Sequence, residues 1–266
     1  KIGIGVCGVA DMLVKLRIPY ASEQGRNVVQ DFIGFMNFVS KLESHELAKR
    51  RGSCYSMFWK EGCRYMTTPN YLEERYGTIE GRGNGISGLM WKELGKRIAS
   101  TKLLRNASTV ALPPTGRSAL TIGASTGIEP LFSLINPDGE MHKDLERDLN
   151  NNGFLTEVVK KQIHEGGKLP LHHLPRALHE VYKTALELDP LDHLQIVRVV
   201  QSVVDEAISK TINLPANSSS REIEEIYMHA HVFGLKGVTI FRNGSRSIQP
   251  RKVAHHEEDP NSQLYS

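Results

Sequence analysis

The run Asn106-Ala107-Ser108-Thr109-Val110-Ala111-Leu112-Pro113-Pro114-Thr115-Gly116-Arg117-Ser118 changes period within a chain otherwise patterned mostly as helix. Thr109, Val110 and Leu112 suit a strand. The paired prolines end it, because proline has no backbone donor for a ladder and its φ is fixed. Thr, Gly, Arg and Ser then follow in succession. Backbone N–H groups freed at such a turn, with two hydroxyls and a guanidinium, make an anion cradle. The same residue types also make a plain strand-to-helix turn. On chemistry alone both readings of Pro114, Thr115, Gly116, Arg117 and Ser118 stay open. The next apolar run, Ala119 to Ala124, fits helix or strand.

Toward the N-terminus the pattern is helical. From Glu23 to Leu47, Val28, Phe32, Phe35, Val39 and Leu42 recur at three- and four-residue steps, the apolar stripe of an amphipathic helix. Lys49 to Arg51 put positive charge in its last turn and Gly52 stops it. Five glycines between Gly77 and Gly88 predict a flexible loop or boundary, and Leu89 to Ile98 a further helix. Toward the C-terminus, Leu178, Val181, Tyr182, Ala185 and Leu188 line one helix face after Pro175. Leu194, Val197, Gln201, Val204 and Ile208 line another after Pro190, so helix is expected up to Lys210. Ser219 and Glu222 have capping-box spacing ahead of the helix Ile223 to Phe233. Gly234 ends it, and Gly237 to Arg242 read as a strand. Residues 1–246 are taken as one folded portion and 247–266 as a polar tail. The few strand candidates lie far apart without hairpin signals and cannot satisfy one another's edges in an independent sheet. The expectation is that they complete a sheet or barrel whose other strands lie elsewhere.

Bulk properties narrow the classes. With 39% hydrophobic and 24% charged residues, the 266-residue chain is composed like a soluble globular protein. No apolar run approaches the roughly 20 residues of a membrane span. The balance of 33 Lys+Arg against 30 Asp+Glu is too even to argue for a nucleic-acid groove. Three cysteines, Cys7, Cys54 and Cys63, fit no disulfide framework, so a reducing cytoplasm is expected. The absence of an initiator Met at Lys1 suggests a fragment, a processed product or a translated piece of a longer chain.

Two further motifs are weak. Gly3-Ile4-Gly5-Val6-Cys7-Gly8 matches G-x-G-x-x-G, with Glu23 at the ribose-binding distance. Yet Ile18-Pro19-Tyr20 breaks the unit before Glu23, and glycines permitting close backbone packing explain the motif better. Among eleven histidines, His172-His173, His229-x-His231 and His255-His256 lack the spacing of a zinc site, and no metal is expected.

Several blocks in order resemble the ribonucleotide reductase large chains. Lys1 to Leu13 is similar to the family's "R-x-I-G-x-G-V-x-G-x-A-D-x-L". Pro114 to Ser118 is similar to its "P-T-G-T-I-S" region, which holds substrate phosphates. Ser125 to Phe132 is similar to "S-S-G-I-E-P-x-F". Ile208 to Pro215 and Lys236 to Arg246 resemble blocks most typical of the class II, adenosylcobalamin-dependent enzymes. The resemblance runs from residue 1 to about 250. It implies the C-terminal part of a ten-stranded α/β barrel, helix-rich and incomplete alone, that reduces ribonucleotides to 2'-deoxyribonucleotides.

In the family, a finger-loop cysteine becomes a thiyl radical and a cysteine pair supplies electrons. The finger loop, "N-x-C-x-E", does not occur in this sequence. No catalytic residue is therefore assigned, and Cys7, Cys54 and Cys63 receive no role. The implied partners are a ribonucleoside di- or triphosphate and an N-terminal reductase portion carrying that cysteine, with room for a homo-oligomer. The alternative is a non-catalytic, reductase-derived nucleotide-binding or regulatory module. Two departures from the family stand out. Arg117 replaces the usual Thr of the phosphate loop, either joining the phosphate or turned to solvent. The linker from Leu134 to Met141 looks shorter than the family's.

Overall fold

The computed structural model describes residues 1–52, 60, 62–77, 86–136, 138–172 and 174–245. The expected tail, Cys54, His173, His255-His256 and most of the Gly77 to Gly88 stretch lie outside the described residues. The elements run α1 (Val9–Lys15), α2 (Glu23–Arg51), α3 (Arg64–Thr67), α4 (Tyr71–Tyr76), α5 (Gly88–Thr101), α6 (Gly116–Thr121), α7 (Lys143–Asn151), α8 (Glu157–Gly166), α9 (Arg176–Val181), α10 (Pro190–Gln201), β1 (Thr211–Leu214), α11 (Ser220–Val232) and β2 (Thr239–Arg242).

The strand candidates do pair with one another. The extended segment 2–5 runs parallel to 108–112, with Ile4 bridged to Val110 and the Ile4 amide donating to Thr109 O at 2.8 Å. On its other side that segment meets the next, through the Leu112–Ile208 bridge and a 2.9 Å bond from the Ser209 amide to Leu112 O. The chain runs on into β1, which pairs in parallel with β2, Thr211 opposite Thr239 and Leu214 opposite Arg242. Four parallel segments thus lie side by side in sequence order with helices between them. Such connections need a dozen or more residues, which is why no hairpin signal was visible. The outer edges of segment 2–5 and of β2 carry no strand partner among the described residues.

The helices cover one face of this array. Val110 and Leu112 enter a core with Val9 and Leu13 of α1, Val29 and Ile33 of α2 and Ile196, Val197 and Val200 of α10. Ile212 and Leu214 pack with Leu194 of α10 and Ile226 and Ala230 of α11. By strand alternation Thr211, Asn213, Thr239 and Phe241 then point to the opposite face.

The C-terminal signal of α2 agrees with the structure, but the face it turns inward differs from the expected one. Ser22 caps α2, its hydroxyl oxygen accepting from the Gly25 amide at 2.9 Å, and Gly52 closes it at φ 60°. The stripe Phe32, Phe35 and Val39, however, is 42–45% exposed, whereas Val29 and Ile33 are fully buried. Both rows satisfy helical periodicity, and only the neighbours decide which turns inward. Ile33→Ala is therefore expected to cost about 2–5 kcal/mol, and Phe32→Gln to stay within about 0.5 kcal/mol. Urea denaturation midpoints of the two variants check this.

Two helices are shorter than their apolar spacing suggests. Tyr182, Ala185 and Leu188 are buried, yet α9 stops at Val181, and the Ala185 amide donates to Leu131 O at 2.7 Å. α10 likewise ends at Gln201 rather than near Lys210. Val204 is buried in the turn that follows, and Ile208 has joined the parallel array. A β-branched apolar run serves a buried strand as well as a helix, so periodicity alone misplaced the boundary. Ala119 to Ala124, left undecided by pattern, begins as α6. The Ser219–Glu222 capping box of α11 is formed on both sides.

Candidate functional site

Pro113 and Pro114 end the segment 108–112, and Thr115 follows at φ 51°, a left-handed backbone that β-branched residues rarely adopt. α6 starts at the next residue. Thr115 and Gly116 are half-buried; Pro114, Arg117 and Ser118 are exposed. The structure so brings the five residues singled out by sequence to one turn at the carboxyl end of a parallel segment, where open α/β sheets bind ligands. The two hydroxyls differ in what they can still do. Ser118 Oγ donates to Thr115 O at 3.1 Å, so its proton is used within the loop. Thr115 Oγ1 instead accepts the Gly127 amide at 2.7 Å, which leaves its own proton to give. A Cβ on Gly116 would meet nothing within 4 Å, so the backbone there is open to a ligand.

The segment packed against this turn belongs to the block Ser125 to Phe132. Gly127, at φ 51°, lies so close that a Cβ would sit 3.2 Å from Pro113 O. Ser125 is held at both backbone groups by α1. Its carbonyl accepts the Gly8 amide at 2.7 Å, and its amide donates to Asp11 Oδ2 at 2.6 Å. Asp11 Oδ1 faces His142 Nε2 at 3.0 Å. Burial opposes the charge of Asp11, but the hydrogen bonds from His142 and Ser125 outweigh it and bring the carboxyl down to about 2.

The same block also carries Glu129, which reaches the array from the helix side. Its Oε1 accepts the Thr211 amide at 2.7 Å and its Oε2 the Lys210 ammonium at 2.6 Å. Lys210 is buried and donates also to Thr211 O at 2.6 Å and to His193 Nδ1 at 2.7 Å. His193 Nε2 then donates to Ala185 O at 3.1 Å. Burial and the Lys210 charge push the imidazole down to about 3, which keeps it neutral with Nδ1 as acceptor. Every Lys210 proton is matched, so this cluster ties α10, β1 and the 125–132 block together rather than offering a free group.

The Gly3-x-Gly5 motif serves packing, in line with the sequence reading. A Cβ on Gly5 would stand 2.7 Å from Pro113 Cδ and 3.0 Å from Ala111 O, so these glycines let segment 2–5 lie against 108–113. His229 Nδ1 bonds Glu225 O within α11. Among the described residues no group of three or more His, Cys, Asp or Glu could hold a metal ion, and no helix is long and apolar enough to cross a membrane. Sequence reasoning gave no role to Asp11, Glu129, Lys210 or His193. The only available signal was a charged residue inside an otherwise apolar or turn-forming block, as with Lys210 between Ile208 and Ile212.

Residues 1–241 match the family described as "Ribonucleotide reductase, barrel domain". The vitamin B12-dependent ribonucleoside-diphosphate reductases of Thermoplasma acidophilum and Mycobacterium tuberculosis are each 28% identical over 257 residues, 94% of this chain. The match covers 29% of the first and 32% of the second, so the chain spans about a third of these relatives' length. The alpha subunit of an Actinobacillus ureae class Id ribonucleotide reductase superposes with a TM-score of 0.67 at 21% identity, over 91% of this chain and 39% of that one. The parallel array is thus part of a reductase barrel, and the chain belongs to the ribonucleotide reductase barrel domain family.

Proposed function

We propose that this chain is the C-terminal part of the catalytic barrel of a vitamin B12-dependent ribonucleotide reductase, and that Pro114 to Ser118 hold the phosphates of its ribonucleotide substrate. The observation that carries this reading is the Thr115 turn: a hydroxyl with a free proton beside open Gly116 backbone, at the carboxyl end of a barrel strand. Exposed Arg117 lies two residues on and supplies a guanidinium suited to phosphate. The names of the two relatives favour a ribonucleoside diphosphate as substrate. Their length, and the unpaired edges of segment 2–5 and β2 among the described residues, favour a second portion that supplies the remaining strands and the finger-loop cysteine. Neither Cys7 nor Cys63 is held in a disulfide, in keeping with a cytoplasmic protein.

Adenosylcobalamin would generate the radical in the complete enzyme. No step is assigned to this chain through that cofactor.

The test compares affinity for a ribonucleoside diphosphate and for its nucleoside in the complete complex. Thr115→Ala is expected to weaken the diphosphate by about 1.5–3 kcal/mol, the worth of a hydrogen bond to a charged group, and to leave the nucleoside unchanged. Arg117→Ala should act in the same direction, and Ser118→Ala least, since its proton is engaged with Thr115 O. Unchanged diphosphate affinity in all three folded variants would remove the assignment.

A further inference from the structure

Thr115 holds a left-handed backbone without being glycine, and such strain persists only where the surroundings enforce it. The Thr115 side chain is tied by the Gly127 amide, which donates to its Oγ1 at 2.7 Å, and it makes no cap to α6. Gly127 is in turn placed by Ser125, two residues earlier, and Ser125 is gripped by α1 at both its carbonyl and its amide. The amide grip is a charge-assisted bond to Asp11, a carboxylate whose second oxygen faces His142. Three blocks far apart in sequence therefore form one chain of contacts that ends at the proposed phosphate loop.

We propose that Asp11 is the positioning residue of this loop. It fixes the 125–127 turn so that Gly127 holds Thr115 left-handed with its hydroxyl proton directed to an anion. Asp11 does not touch the ligand, and the inference rests on the proposed anion-binding reading of residues 114–118. Replacing Asp11 by alanine frees the Ser125 amide, loosens the turn and lets Thr115 relax. Asparagine keeps an oxygen for Ser125 and can turn its amide group toward His142, so it should largely restore the loop.

The experiment uses the full 266-residue chain with two readouts, hydrogen exchange at individual amides and titration with inorganic pyrophosphate. In Asp11→Ala the Gly127 amide should exchange at least about tenfold faster while Val200 in the core keeps its protection. Pyrophosphate should bind about tenfold more weakly, a loss of about 1.4 kcal/mol, and Asp11→Asn should recover most of both. Asp11→Ala should add nothing to the pyrophosphate loss already caused by Thr115→Ala, since both act through one contact. If Thr115→Ala weakens pyrophosphate and Asp11→Ala leaves Gly127 protection and affinity unchanged, the positioning role is overturned and the anion loop stands. If the wild-type chain and its Thr115→Ala variant bind pyrophosphate equally or not at all, the anion reading fails and this inference with it.

Discussion

Asp205→Ala is expected to cost about 3–5 kcal/mol of folding stability, the usual consequence of stranding one member of a buried ion pair. Asp205 sits in the turn between α10 and the segment leading into β1, and donors from three other parts of the chain converge on its carboxylate. Lys41 of α2 donates to both oxygens at 2.6 and 2.7 Å, Tyr76 of α4 at 2.7 Å, and the Thr109 and Val110 amides at 2.9 and 3.3 Å. The Lys41 side chain is only 2% exposed, so alanine would leave an ammonium, a phenol and two amides without their acceptor. Against a typical total of about 5–15 kcal/mol, that loss brings the chain close to unfolding. A urea midpoint within 1 kcal/mol of wild type, by linear extrapolation, would show that the clasp contributes little.

The same residue sets an acid dependence. Burial alone would raise the Asp205 carboxyl, but the Lys41 charge and the hydrogen bonds override it and hold it below the ordinary carboxylate value. Burial also draws the Lys41 ammonium below the ordinary lysine range, against the pull of Asp205. The carboxylate, with its several donors, is the member that keeps its charge more firmly. A folded pKa below the unfolded one makes its contribution complete above about 3.9. That contribution is lost as the pH falls through the folded value. Wild type should therefore lose stability in acid more steeply than Asp205→Asn, which has no such carboxylate to protonate. Parallel acid limbs in the two proteins would contradict this assignment.

No reduction of a ribonucleoside diphosphate is expected from the 266-residue chain supplied with adenosylcobalamin and a dithiol. The effect is total because the missing part is the first chemical step. Without a thiyl radical nothing abstracts hydrogen from the ribose, however well residues 114–118 bind the phosphates. The sequence contains no N-x-C-x-E loop, and none of its three cysteines, Cys7, Cys54 and Cys63, lies in such a motif. Mixing the chain with a reductase portion that carries the loop should restore turnover and raise the melting temperature, since a partner that binds only the folded form stabilises it by mass action. Turnover by the chain alone, above that of a blank, would refute the proposed division of labour. Nucleotide binding with no turnover, even beside a partner bearing the loop, would favour a non-catalytic nucleotide-binding module.

Local signals were legible because their physics is local. Pro113-Pro114 ends a strand in any context, Gly52 and Gly234 take up left-handed φ where helices stop, and Ser219 with Glu222 closes a capping box within four residues. The resemblance of the blocks, in order, pointed separately to the barrel family. The local signals did not reveal which row of α2 faces the core, because Val29-Ile33 and Phe32-Phe35 have the same periodicity and differ only in what packs on them. Nor could they separate the β-branched run after Pro190 into a helix ending at Gln201 and a strand beginning beyond Asp205. The polar clusters were hidden for the same reason. Asp11 meets Ser125, Lys41 meets Asp205 and Glu129 meets Lys210 across 114, 164 and 81 residues. A charged side chain written in sequence looks alike whether it ends in water or in a matched buried pair, and only the packed structure, by removing the water, decides which.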